Sequence, residues 1–195
     1  MGRTRPSTIG SIVGRRRGSG PRSWQNSWST TRLTFSASTA RPRRPTVAPP
    51  AEKGGQEQAI GKSRGGRTTK IHAVVDADGR LIAFELTGGN RHDIKPAAEL
   101  IEPLPPAKSL LGDAAYDSDA FRAFLTGRGT TPVIKQNPTR KHFHPFDKTA
   151  YKGRNIIERA FSHLKDWRRV ATRYDKLARN FCATVVLASI LCWWT

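Results

Sequence analysis

At 195 residues and 36% hydrophobic content, the chain can hold one domain with a real core plus a tail, which excludes a wholly disordered protein. Its formal charge of +19, with an isoelectric point near 11.2, argues for a polyanion as partner and nucleic acid before any other. Nothing in it spans a membrane: the longest apolar run, FCATVVLASILCWW, has fourteen residues, short of the roughly 20 a bilayer requires.

That run reads as a buried terminal helix. Its two cysteines, Cys182 and Cys192, would then lie about 15 Å apart, too far to bridge, which fits a reducing cytoplasm. The amino end lacks an apolar h-region, so no secretory signal is visible and a cytoplasmic location is expected.

Charge divides unevenly. Residues 1–50 hold ten arginines, no lysine and no acid, whereas residues 51–195 hold 24 basic against 15 acidic side chains. The first segment, residues 1–51, is rich in Ser, Thr, Pro and Gly and reads as a disordered basic arm. Only TRLTFSA, residues 31–37, alternates enough to suggest a strand. A second explanation stands beside the first: Arg, Pro, Ser, Ala and Gly without Asp, Glu or Lys is what a G+C-rich gene yields when read out of frame.

From residue 52 the composition becomes ordinary. KGGQEQAIGKSRGGRTTK reads as a Gly-rich basic loop in which Lys62, Arg64, Arg67 and Lys70 suit phosphate-backbone contact, or form a solvated linker. Its GKS is not a phosphate-binding loop, because Gln56 stands where the first glycine is required. KIHAVVDADGRLIAFELTGG predicts two strands, residues 70–75 and 80–87, joined by a turn in which Asp76 and Asp78 serve as turn formers rather than metal ligands. IKPAAELIEPL follows as a helix with Asp93 as its N-cap, and His92 before it is read as structural.

In KSLLGDAAYDSDAFRAFLTGRG, residues 109–111 form a short buried strand and Asp113 sits where strand becomes loop. That is a standard position for a site residue in an α/β fold, though a simple loop acid would look the same. Asp117 and Asp119 are read as caps of the next helix. Residues 131–136 give another strand, followed by a loop dense in Lys, Arg and His; His142 and His144 alternate as metal ligands might, but with no third ligand nearby a DNA-facing loop is preferred.

YKGRNIIERAFSHLK, residues 151–165, then places Tyr151, Arg154, Glu158 and Lys165 at offsets of three, four and seven. On one helix these four fall within roughly 60° of each other, beside a stripe of Ile157, Phe161 and Leu164 that can pack. Arg154 and Glu158 could be an ordinary i,i+4 pair; alternatively Glu158 is the partner of Asp113 in a site.

The order strand, strand, helix, strand ending in Asp, helix, strand, helix with Glu looks like a ribonuclease-H-like mixed α/β sheet flanked by helices. The 151–165 segment also resembles the Y-R-E-K signature of bacterial insertion-sequence transposases of the DDE type, in the insertion-sequence four/five superfamily. The resemblance extends over GKSRGGRTTKIHAVVD, GGNRHD, GDAAYDSD and TRYDKLARNF, covering residues 52–194. It implies that Asp113 and Glu158 are the second and third acids of a catalytic and metal-binding triad, with Tyr151, Arg154 and Lys165 as companions to DNA phosphate. It further implies two Mg²⁺ ions that activate water for strand cleavage and then assist strand transfer, with transposon ends and target DNA as partners and a homodimer as assembly.

One departure is serious. The family's first aspartate belongs in a D-S/T-x-V strand that spacing puts at residues 36–42, where this chain has Ser36, Ala37, Ser38, Thr39, Ala40, Arg41 and Pro42. The central strand of the sheet is therefore expected to be missing or substituted, and residues 52–195 to form an incomplete domain. The sequence leaves three readings: a truncated or frame-shifted transposase, a non-catalytic DNA-binding remnant that competes with intact transposase, and a nuclease whose missing acid comes from elsewhere, such as Asp76.

Overall fold

The structure, a computed structural model, describes residues 9–11, 31–42, 58–64, 66–140 and 144–194. Most of the basic arm, the start of the Gly-rich segment and His142 lie outside the described residues. The strands are β1 (Ile9–Ser11), β2 (Arg32–Pro42), β3 (Gly61–Ser63), β4 (Gly66–Val75), β5 (Leu81–Gly88), β6 (Ser109–Gly112), β7 (Thr131–Ile134) and β8 (Thr172–Arg173). The helices are α1 (Ala97–Ile101), α2 (Asp119–Gly127), α3 (Lys148–Tyr151), α4 (Asn155–Asp166), α5 (Arg168–Ala171) and α6 (Ala178–Trp193).

One mixed sheet runs in the order β1-β5-β4-β2-β6-β7, with β3 paired to β4 and β8 to β2. The central position is filled, by β2. It pairs antiparallel with β4 from Thr34↔Val75 to Ala40↔Thr69 and parallel with β6 from Arg32↔Ser109 to Thr34↔Leu111. The first strand is thus substituted rather than absent, and the alternation seen over residues 31–37 continues to Pro42, inside the segment that composition assigns to a disordered arm. Pairing on both edges satisfies the polar backbone of a strand whose composition looks like loop.

Alternation sorts β2 between two cores. Leu33 and Phe35 join Val74, Ala83 and Leu110 on the face covered by α1 and α2, with Leu100, Phe121 and Leu125. Ala40 joins Ile71, Ala73, Val75 and Phe84 on the opposite face, covered by Ile157, Phe161 and Leu164 of α4 and by Phe181 and Val185 of α6. Strands β6 and β7 run parallel through α2, as a crossover connection requires.

Several expectations need correction. The basic Gly-rich segment is a hairpin, β3–β4, so β4 begins at Gly66 rather than residue 70. Helix α1 has Pro96 at its N-cap, because Asp93 is drawn instead to Lys70, 2.8 Å from its Nζ. The 151–165 helix is interrupted: α3 is followed by a 3-10 turn, Lys152–Arg154, before α4 begins. There Gly153 passes so close to β2 and β6 that a Cβ on it would come 2.8 Å from Arg32 Nη1 and 3.5 Å from Leu111 Cδ2. Helix α6 is buried on one side only, since it is apolar all round and packs by a single stripe. Leu187 and Trp194 remain 61% and 56% exposed. Both cysteines are unbridged, as their spacing requires.

Candidate active site

Strand β6 ends at Gly112, and Asp113 follows at once. Its Oδ1 accepts a hydrogen bond from the Ala115 amide at 3.0 Å, capping the one-turn 3-10 helix Ala114–Tyr116.

Glu158 sits in the first turn of α4 and accepts from Arg154 Nη2 at 2.5 Å. The Arg154 guanidinium also lies 5.7 Å from the centroid of the Tyr151 ring, so the 3-10 turn keeps these three companions adjacent. Tyr151 links the two acids electrostatically. Burial pushes its phenol up, Arg154 pulls it down, and the carboxylates of Asp113 and Glu158 both push it up again. Asp113, Tyr151, Arg154 and Glu158 therefore share one neighbourhood, while Lys165 stands exposed two turns further along α4.

The cations expected at DNA divide. Lys62 and Arg67 are cross-strand partners on β3 and β4, Arg64 stands at the tip between them, and all three are exposed. Lys70 does not join them. Its ammonium donates to Asp93 and to the Arg91 carbonyl, 2.8 Å each, because alternation along β4 turns it toward the loop after β5. The base of the hairpin is packed tightly: a Cβ on Gly89 would meet Thr68 Oγ1 at 1.8 Å and its carbonyl at 3.2 Å.

Asp76 is a turn residue, as read. Its Oδ1 accepts from the amides of Asp78 and Arg80, both at 2.9 Å, which commits it to the β4–β5 turn. His144 meets an aspartate, with Nε2 2.9 Å from Asp119 Oδ1.

Sequence reasoning missed Asp117. Rather than capping α2, its fully buried carboxylate takes Arg122 Nε at 2.8 Å, Arg140 Nη1 at 2.9 Å and the Asn137 amide at 2.9 Å. Burial pushes this carboxyl up, but the three donors outweigh it and hold it below its ordinary value. Arg140 also meets Asp119, which His144 meets as well, so the basic loop is tied down on both sides of residues 141–143.

Also missed was Arg173, 1% exposed. It donates to the carbonyls of Gln58, Ala59, Asp175 and Lys176 and to Thr69 Oγ1, joining β4 and β8 to the start of α6. Burial pulls its pKa down to about 10, opposed by Asp175.

A central strand flanked by an antiparallel hairpin on one side and parallel strands on the other, with one acid at the end of β6 and one on a helix crossing the sheet, defines the ribonuclease-H-like class. The chain belongs to the transposase DDE domain family, which matches residues 38–193. It is 40% identical over 127 residues to a protein named as transposase for insertion sequence element IS6501 of Brucella ovis, covering 65% of this chain and 98% of that one. It is 31% identical over 137 residues to one named for element IS402 of Burkholderia cepacia, covering 64% of this chain and 63% of that protein's length. A solved piggyBac transposase, in a synaptic complex with hairpin DNA, has the same fold at a TM-score of 0.50 and 10% identity, over 84% of this chain and 47% of that one.

Members of this family generally use divalent metal. Carboxylates are the right donors for a hard cation. Strand β2 carries no acid, Glu158 is engaged by Arg154, and among the described residues no three His, Cys, Asp or Glu side chains gather to hold an ion. The residues present do not fit a two-ion centre. Among the described residues no helix is long and apolar enough to cross a membrane.

Proposed function

We propose that this chain is an insertion-sequence transposase copy that binds DNA but lacks the first acid needed to cut and join it. The observation that carries this reading is the central strand: β2 runs directly beside β6 and Asp113, and RLTFSASTARP has no carboxylate. In an intact site two Mg²⁺ ions would need a third carboxylate here. The Lys62–Arg67 hairpin, with Arg64 at its tip, contacts phosphate. Arg154 and Lys165 flank Glu158 as phosphate companions, and Lys70 holds the GGNRHD loop rather than DNA.

Residues 1–51 are read as the product of a shifted reading frame, which accounts for their acid-free composition; the family match, which begins at residue 38, counts against a shift that reaches past that point. The other frames of the gene over those codons should encode a D-S/T-x-V segment; their lack of one would end that explanation. Two copies would pair on paired transposon ends, and the remnant would compete there with intact transposase.

The test is binding and cleavage of element-end duplex DNA by the full chain. Expected are binding that weakens steeply with salt, a slope that falls by about 1 for each of Lys62, Arg64 and Arg67 replaced by alanine, and no strand cleavage with Mg²⁺. Mg²⁺-dependent cleavage that vanishes in Asp113→Asn would contradict the missing-acid reading, and absence of salt-sensitive binding would contradict the DNA role.

A further inference from the structure

We propose that His72 and Glu85 share one buried proton, whose loss turns the Glu85 carboxylate to Arg91, so that the pair is a pH-sensitive clasp on the β4–β5 hairpin. The inference concerns the face of the sheet opposite α4 and does not depend on the DNA-binding reading.

Register puts the two side by side. His72 of β4 pairs directly with Glu85 of β5, and both share a face with their alternate neighbours Val74 and Ala83, in the core under α1 and α2. Residues directly opposed on one face have Cβ atoms about 4.5–5.5 Å apart. His72 is 0% exposed and Glu85 8%, and among the described residues neither His72 Nδ1 nor Glu85 Oε2 has a hydrogen-bond partner. Two unsatisfied polar atoms in a core are costly, and joining them removes both penalties at once.

Joining them takes one proton, and the surroundings say where it sits. Thr87 Oγ1 donates to the Gly88 carbonyl at 3.4 Å, so it accepts at its 2.7 Å contact with His72 Nε2. Nε2 therefore carries the ring proton, and Nδ1 is left as an acceptor. A protonated carboxyl is the donor that fits it, and rotation of the Glu85 side chain brings Oε2 there. Electrostatics agrees with both assignments. Burial pushes Glu85 up to about 7, opposed by Arg91 and helped by Glu99. Burial likewise pulls His72 down to about 4, opposed by Asp93 and helped by Lys70 and Arg91. The flanking strands set apolar residues against the pair, Ala37 of β2 and Ile9 of β1, and α2 packs Phe121 and Leu125 into the same core. Tyr116, also in that core, is kept protonated by burial.

Once the proton leaves, Arg91 is the cation that acts on the Glu85 carboxylate. The chain Glu85–His72–Thr87–Gly88 then opens at its first link. It ends beside Gly89, which packs on Thr68 at the foot of the basic hairpin. Glu85, raised from 4.5 to about 7, contributes stability that is lost as pH rises through that interval. His72, lowered from 6.5 to about 4, contributes stability that is lost as pH falls through its own interval. Between 4.5 and 6.5 the two slopes cancel, because folded and unfolded chains each hold one proton, on Glu85 in the first and on His72 in the second.

The experiment compares the full chain with Glu85→Gln and Arg91→Ala in urea unfolding across this pH range, with infrared spectroscopy of the carboxyl and ¹⁵N resonance of the His72 ring. Expected in the parent are a protonated-carboxyl band that disappears with a midpoint near 7 and an Nε2–H ring that resists protonation down to about pH 4. The band should be missing from Glu85→Gln, and Arg91→Ala should move its midpoint up. Relative to the parent, the folding constant of Glu85→Gln should rise about tenfold per pH unit between 4.5 and 7. A Glu85 carboxyl already ionised at about pH 5 would overturn the proposal. So would a His72 ring in the Nδ1–H form or titrating near its ordinary 6.5, or a parent-to-variant ratio that does not change with pH. A midpoint that Arg91→Ala leaves in place would overturn the exchange of partners. Should Glu85→Gln fail to fold, the ring tautomer and the carboxyl midpoint of the parent decide.

Discussion

Two aspartates four residues apart after β6 have opposite circumstances. Asp117 is shut away from solvent with two arginines and a backbone amide on its oxygens, while Asp113 is half-buried and caps a short turn through one oxygen. Asp117 is fully satisfied and can do nothing else. Asp113 accepts a hydrogen bond from the Ala115 amide, which suits the ligand role proposed for it. The contrast teaches that a carboxylate's role follows from what remains unpaired around it.

Breaking the buried side of the contrast should have the largest effect. Asp117→Ala leaves Arg122 and Arg140 without their common counter-ion and should lower stability by about 3–5 kcal/mol in urea unfolding. A loss below about 1 kcal/mol would place Asp117 beside Asp113 and dissolve the distinction. The same residue sets an acid dependence. Its carboxyl is held below the ordinary value in the folded chain, so its contribution is present above the unfolded value and is lost as pH falls through the lower folded one. Asp117→Asn should flatten that part of a stability profile taken from neutral to strongly acid solution, and an unchanged acid limb would count against the network.

On the other side the effects should be small. Asp113→Asn keeps an oxygen for the Ala115 amide and should change stability by no more than about 0.5 kcal/mol. A destabilisation rivalling that of Asp117→Ala would make Asp113 a structural residue. Glu158→Gln should cost least, about 0.3–0.5 kcal/mol, because an exposed i,i+4 pair with Arg154 contributes little. A larger loss measured by the same unfolding would mean that Glu158 supports the fold.

The sequence made the β4–β5 turn, β6 with Asp113, β7 and the helix of Glu158 legible, because each combines an apolar pattern with a local stop signal. It showed only the first half of β2, in the alternation of residues 31–37; the second half, with its Ser, Thr, Ala and Arg content, reads as loop until it pairs with β4. The hairpin β3–β4 was hidden in the same way by glycine. The 3-10 turn at Lys152–Arg154 and the capture of Lys70 by Asp93 depend on neighbours distant in sequence, Arg32 and Leu111 in the first case and the loop after β5 in the second. Asp117 was misread because a helix cap and a buried counter-ion begin with the same residue; the signal available was the pair of arginines at 122 and 140. The gap in acid spacing over residues 36–42 falls on β2, a strand that is present and carries no carboxylate.

The central claim is that this site is one carboxylate short of holding an ion. A Mn²⁺ titration of the unmodified full chain beside Asp113→Asn and Glu158→Gln tests it most directly. The account predicts the same weak, non-saturating loss of free Mn²⁺ signal in all three. A stoichiometric site in the unmodified chain that either substitution removes would contradict it.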